Sequence, residues 1–307
     1  MNKKIAAIVC VFAIVVIIAC LGCIDDGGSA NNIKAIAEIT PKEWSYLNYP
    51  RPYILTSYLI YSDIQEMRDD KDFEDIYESI EKRWRLSKLK EYGIDIGDIN
   101  YIASYISDAG GTVIFGGKFN LIATYESKYM TPRLKGGTIF GGEFDLEDVR
   151  DKLNDADFDK DEYKGVEFWL GEHDKAVAIS GDKVIMGYKD SVRECIKVMK
   201  GSEQSIYDED VNFRDVIDRL PGGIITSISS SDSGDIRDIR AGGFVLMKED
   251  KDTLKTKGVI KIPDEVYTEA VKSNLKRSLK ESLDDIEVVL KGEFLEYTGK
   301  MDIADWG

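Results

Sequence analysis

The side chains able to do chemistry in this chain are few and scattered. Of 307 residues, one is histidine, His173, and four are cysteine. Cys10, Cys20 and Cys23 fall in the first 24 residues, so Cys195 is alone in the rest of the chain. A nucleophile relay needs an imidazole beside a hydroxyl or thiol, oriented by an acid. His173 sits in Gly-Glu-His-Asp-Lys, a turn composition between two β-prone runs, and reads as a surface residue. Cys195 shares a helical stripe with Val192, Ile196 and Met199 and reads as a small core residue. The serines from Ser229 to Ser233 offer no sharp strand-to-helix nucleophile turn. One histidine and one body thiol cannot supply a zinc site. Asp155, Asp157, Asp159 and Asp161 alternate as the first ligands of a calcium loop would. Such a loop also wants Gly at its sixth position and Glu at its twelfth. Lys160 and Val166 stand there instead. The glycine pairs at 110–111, 116–117, 136–137 and 141–142 lack the Gly-Lys-Ser/Thr ending of a phosphate loop. Two carboxylates could cleave a glycosidic bond, but 57 acidic residues single out no pair. Tyr46, Tyr49 and Tyr53, with Pro50 and Pro52, read as an apolar clasp rather than a ligand patch. No catalytic, cofactor-binding or metal-ligating residue is assigned.

The amino-terminal segment is more specific. Lys3 and Lys4 precede a run from Ile5 to Ile24 with no polar or charged side chain, and Asp25 and Asp26 follow. A charged start, an apolar centre and small residues at its end form an export signal. Ile17-Ile18-Ala19-Cys20 and Cys20-Leu21-Gly22-Cys23 both resemble the lipobox of prokaryotic lipoproteins, an apolar-small-Cys motif. Cys23 is the better match, with a small residue before it and a polar stretch after it, although Cys20 replaces the usual Leu. The resemblance implies lipidation of Cys23. The alternative is an uncleaved anchor helix: twenty apolar residues span about 30 Å, enough to cross a bilayer. Both readings place the two lysines inside and the body outside.

With Lys3 and Lys4 left in the signal, 39 Lys and Arg face 57 Asp and Glu, a net charge of −18 on the body. That surface repels nucleic acid and anionic lipid heads. With one body cysteine, no disulfide inside the body can form, so an ordinary core must stabilise it.

The elements follow from periodicity. Leu55–Tyr61, Ile99–Ser107, Val166–Leu170, Ala176–Ser180, Lys183–Gly187, Ile224–Ser229, Gly243–Lys248, Leu254–Ile262, Ile286–Leu290 and Glu293–Met301 read as strands. Asp72–Tyr92 reads as a helix stopped by Gly93. A second helix, capped by Asp145, buries Leu146, Val149 and Leu153. Ser191 and Glu194 form a capping box opening the Cys195 helix. Asn212–Leu220 and a helix after Pro263 complete the set. Gly110–Leu121 and Gly136–Leu146 are similar in sequence and could be a local duplication.

Adjacent strands joined by short turns predict an α+β fold: two packed units of mainly antiparallel sheet with helices on one face. The divisions are 1–23 signal or anchor, 24–40 tether, 41–205 first unit and 206–307 second unit. Phe144 to Pro221 resembles a group of membrane-anchored prokaryotic proteins of unknown function, through FDLEDVRDKL, YKGVEFW, AVAISGDKVIMGYKDSVRECIKVMKG and SIYDEDVNFRDVIDRLPGG. The resemblance implies an anchored location and brings no catalytic residues. The reading is a membrane-tethered, extracytoplasmic binding or structural module with an unidentified protein or small-molecule partner, no nucleic acid and no cofactor. The alternative is an envelope hydrolase using paired carboxylates, with or without calcium.

Overall fold

The run Thr-Ser-Tyr-Leu-Ile-Tyr-Ser-Asp at Thr56–Asp63 is rich in β-branched and aromatic residues and forms strand β1. Its alternation puts Leu59 and Tyr61 on one side and Tyr58 and Ile60 on the other. The computed structural model describes residues 29–42, 56–74, 77–78, 81, 86–107, 135–231, 240–262, 268–280 and 282–303. Among the described residues eleven further strands follow: β2 Ile99–Ser107, β3 Lys135–Gly142, β4 Asp159–Tyr163, β5 Val166–Leu170, β6 Lys175–Ser180, β7 Lys183–Tyr188, β8 Ile225–Ser231, β9 Ala241–Lys248, β10 Thr253–Lys261, β11 Asp284–Lys291 and β12 Phe294–Asp302. The helices are α1 Ser29–Ala37, α2 Ile64–Asp69, α3 Leu146–Asp155, α4 Lys189–Met199, α5 Ile206–Glu209, α6 Val211–Ile217 and α7 Thr268–Leu279.

The mixed α+β class is as the sequence predicts, but the sheet does not divide. All twelve strands join one sheet in the order β11-β12-β10-β9-β8-β1-β2-β3-β7-β6-β5-β4. Strand β1 pairs antiparallel with β2 on one side and with β8 on the other. The segments 41–205 and 206–307 therefore share a sheet instead of packing as two. The helices also cover both faces, not one. On one face, α2, α3 and α7 bury Ile64, Met67, Val149, Leu153, Leu275 and Leu279 against Ile102, Phe140, Val184 and Phe244. On the other, α1, α4, α5 and α6 bury Ile33, Cys195, Ile206 and Phe213 against Leu59, Ala103, Ile185 and Val245. Strands such as β6, with Ala176, Val177, Ala178 and Ile179 all buried, feed both cores.

Four local expectations change. The tether predicted over 24–40 is interrupted by helix α1, which docks through Ile33, Ile36 and Ala37, all buried. Burying each isoleucine contributes about 1.5–3 kcal/mol, which offsets the weak intrinsic stability of a short helix. The Cys195 helix starts at Lys189, directly after β7, with no side-chain cap. Ser191 lies buried within it, so the capping box does not form. Asp159–Tyr163, absent from the strands expected from periodicity, is edge strand β4, with Asp159, Lys160, Asp161 and Glu162 exposed. Over Asp72–Tyr92, the described parts include 3₁₀ turns at Lys71–Phe73 and Leu86–Tyr92. Asp145 caps α3 as predicted, accepting from the amides of Glu147 and Asp148.

The glycines of β3 have a packing role. Gly137 lies directly opposite Tyr105, and Gly141 opposite Tyr101. Gly258 of β10 stands in the same relation to Tyr297 of β12. A Cβ at any of the three would collide with the tyrosine ring across the ladder, so the ring folds over the bare backbone. The Tyr297 hydroxyl is fully buried and has no hydrogen-bond partner. Gly258→Ala should therefore cost about 1–3 kcal/mol or more by overpacking. Tyr297→Phe, which removes an unsatisfied group, should be neutral or stabilising by about 1 kcal/mol. Denaturant midpoints of the two variants check both signs.

Candidate functional site

The carboxyl end of β1 carries a connected polar arrangement. Asn32 Nδ2 on α1 donates to Tyr61 Oη at 3.1 Å, and Tyr61 Oη donates to Asp63 Oδ2 at 3.2 Å. Asp63 Oδ1 accepts from the Glu66 amide at 3.0 Å, capping α2. This ties the docked amino-terminal helix to the turn from strand into α2. Asp63, Gln65, Glu66, Asp69, Asp70 and Lys71 line an open concavity of about 510 Å³.

Of its lining residues, Asp70 is held by Lys248, at the end of β9. Lys248 Nζ donates to Asp70 Oδ2 and to Asp72 Oδ2, both at 2.6 Å, and lies 4.7 Å from the centre of the Phe73 ring. Asp70 Oδ1 also accepts from the Asp72 amide at 3.0 Å, capping the 3₁₀ turn. Beneath, Arg68 Nη1 donates to the carbonyls of Gly97 at 2.5 Å and Ile99 at 3.2 Å. Asp69 pairs with Arg68 Nε at 3.7 Å.

Burial raises the Asp63 carboxyl above its ordinary range, against the stabilising bond from the Glu66 amide. Burial, and then the Asp63 charge, push the Tyr61 phenol well above its ordinary value. Tyr61 thus stays protonated and keeps donating to Asp63. The concavity is a negative, water-open surface on which Asp63, Asp69 and Asp70 are engaged in caps and ion pairs. It can attract cationic groups, while its built contacts are those of a helix junction. Among the described residues, no three His, Cys, Asp or Glu side chains converge to hold a metal.

The residues singled out from the sequence do not gather here. Cys23, Cys10, Cys20, the Tyr46–Tyr53 cluster and the Gly110–Leu121 repeat lie outside the described residues. His173 stands in the β5–β6 turn with a left-handed backbone (φ 60°), its side chain 83% exposed and 3.7 Å from Glu172. Cys195 is fully buried, and its Sγ donates to the Ile39 carbonyl at 3.2 Å, fixing α4 to the segment after α1. The acids from Asp155 to Asp161 disperse. Asp155 ends α3, Asp157 takes a left-handed turn at φ 57°, and Asp159 and Asp161 lie on β4. A strand cannot wrap its alternate side chains around one ion as a loop does.

Sequence reasoning missed Asp210. This buried carboxylate accepts from the amides of Asn212 and Phe213, at 3.0 and 3.1 Å, and from Ser230 Oγ at 2.7 Å. It couples the start of α6 to β8. Its signal was an Asp directly before a helical pattern.

No protein-family model matches the chain, and no curated protein matches it. Among solved structures, one described as crystal form I of TP0453 is similar, at 9% identity with a TM-score of 0.47, covering 88% of this chain and 93% of that one.

Two measurements check this geometry. A raised carboxyl stabilises the fold fully below the unfolded value, near 3.8, and that stability is lost as pH rises through the folded value. Asp63→Asn keeps an acceptor for the Glu66 amide and removes the buried charge. Melting scans from pH 3 to 7 should show it above the wild type at neutral pH, with the gap closing below the ordinary carboxyl value. Separately, Cys195 should resist thiol reagents in the folded protein and react on denaturation; rapid native labelling would contradict its burial.

Proposed function

We propose that this protein is a membrane-tethered, outward-facing binding or structural module of the cell envelope, a lipoprotein anchored through Cys23. The observation that carries the reading is the short connection between the lipobox-like cysteine and a docked helix. Only Ile24 to Gly28 separate Cys23 from α1. Six extended residue steps reach at most about 20 Å, so on this reading the body rides close to the bilayer surface. The net charge of −18 from Cys23 onward suits an exterior protein that binds neither nucleic acid nor anionic lipid heads. The resemblance of Phe144–Pro221 to membrane-anchored proteins of unknown function points the same way.

The carboxylate-lined concavity is the feature that favours the second reading, a hydrolase using paired carboxylates. Its acids serve as helix caps and as partners of Lys248 and Arg68, so the binding reading takes precedence.

Intact-mass analysis of the chain extracted from its native membrane tests the proposal. The expected species begins at Cys23 and carries lipid. Two chains give stable anchoring where one is marginal. An unmodified chain starting at Met1 would overturn lipidation and leave the helix anchor. Recovery in the aqueous fraction alone would overturn both.

A further inference from the structure

Among the described residues the sheet is open, and its two edge strands are built differently. Strand β4 ends one side with Asp159, Lys160, Asp161 and Glu162 exposed, a charged edge of the kind that blocks pairing. Strand β11 ends the other. Its first half is irregular: the register with β12 shifts between Asp284 and Glu287, and Asp285 has φ 50°. From Glu287 to Lys291 the ladder is regular. In its middle stands Val289, an apolar side chain left 37% exposed.

We propose that the β11 edge is a self-association surface, and that a second copy of this chain adds its own β11 antiparallel to it. Residues opposite each other in an antiparallel ladder point to the same face, so the two-fold axis must pass through a residue paired with itself. Centred on Val289, the pairing sets Val289 against Val289 and Val288 against Leu290. It also sets Glu287 of each copy against Lys291 of the other, making two opposite-charge pairs. Centring on Val288 would set Glu287 against Val289, and centring on Leu290 would set Val289 against Lys291. Only the Val289 register matches charge with charge and apolar with apolar. The Lys291 side chain is 58% exposed and lies 2.8 Å from Glu296 of its own chain.

The topology adds a second argument, which rests on the tethered reading. Val289 opposes Glu296, and Glu296 opposes Val259, which packs in the same core as Ile33 and Ile36 of α1. Val289 and α1 are therefore on one face. The two-fold is perpendicular to the sheet, so both α1 helices lie on one side of the joined sheet. Both anchors can then enter a single membrane. Five residues of edge bury far less than the ~1,600 Å² of a standard interface, so free chains associate weakly. Confinement to a membrane raises the effective concentration. At physiological salt the screening length is about 8 Å, so the local pairs outweigh the body's overall negative charge.

The test is oxidative cross-linking of the full chain in native membranes, with the wild type as background. Val289→Cys should form a covalent dimer at least tenfold faster than Glu287→Cys or Asp161→Cys. In the proposed register, Glu287 lies about 13 Å along the strand from its own counterpart, beyond disulfide reach. Adding Lys291→Glu to Val289→Cys should slow the reaction, and adding Glu287→Lys as well should restore it. Equal rates at 289, 287 and 161, or no restoration by the charge swap, would overturn the inference. Membrane fractionation of the same samples reports the anchor separately, so failure of the edge and failure of the tether are distinguishable.

Discussion

The structure hangs on the two ladders of strand β1. On one side of it lie β2, β3, β7, β6, β5 and β4; on the other lie β8, β9, β10, β12 and β11. Thr56–Asp63 pairs with both neighbours along nearly its whole length. Each backbone donor and acceptor of a central strand must find a partner, because burial without one is costly. Here the partners come from residues about 40 and about 170 positions away, so this strand turns two sets of local hairpins into one body. Side chains reinforce the join. Leu59 and Tyr61 enter the core beneath α1 and α4. The Asn32–Tyr61–Asp63 hydrogen bonds run from α1 across β1 to the cap of α2.

A sheet joined in this way must bury both faces, and the sequence supplies helices to do it. Helix α1 is one of them, docked through Ile33, Ile36 and Ala37. Helix α1 lies on the sheet face it shares with α4, α5 and α6. The same face carries Val289 on the open edge. Helix α1 and the β11 edge are linked through the sheet, with no contact needed between them.

Most elements were legible because their patterns are local. Asp145 before Leu146, Val149 and Leu153 is a cap and a stripe within one helix. The meander of β5, β6 and β7 follows from its turns. Strand β4 was not legible because four of its five residues are charged, and its structure comes from pairing with β5, not from burial. Helix α1 was hidden by the polar run Asp25–Asn32, though Ile33, Ile36 and Ala37 already had helical spacing. The two-faced sheet was also visible in principle: the unbroken burial of β6 and of Ala241–Leu246 in β9 means cover on both sides. The union of β1 with β8 leaves no local mark, since nothing in either strand names its distant neighbour. The acidic concavity was equally hidden, being assembled from caps of adjacent turns and a lysine nearly 180 positions away.

Native-state hydrogen exchange of the amides in β2 and β8 tests this account most directly. If β1 joins the two sides into one cooperative body, the protected amides of Ile99–Ser107 and Ile225–Ser231 should share one opening free energy, equal to that of global unfolding. A proline at Ile60 should remove protection from both strands together. Two separate opening energies on either side of β1, or loss of protection on one side only, would contradict the single sheet.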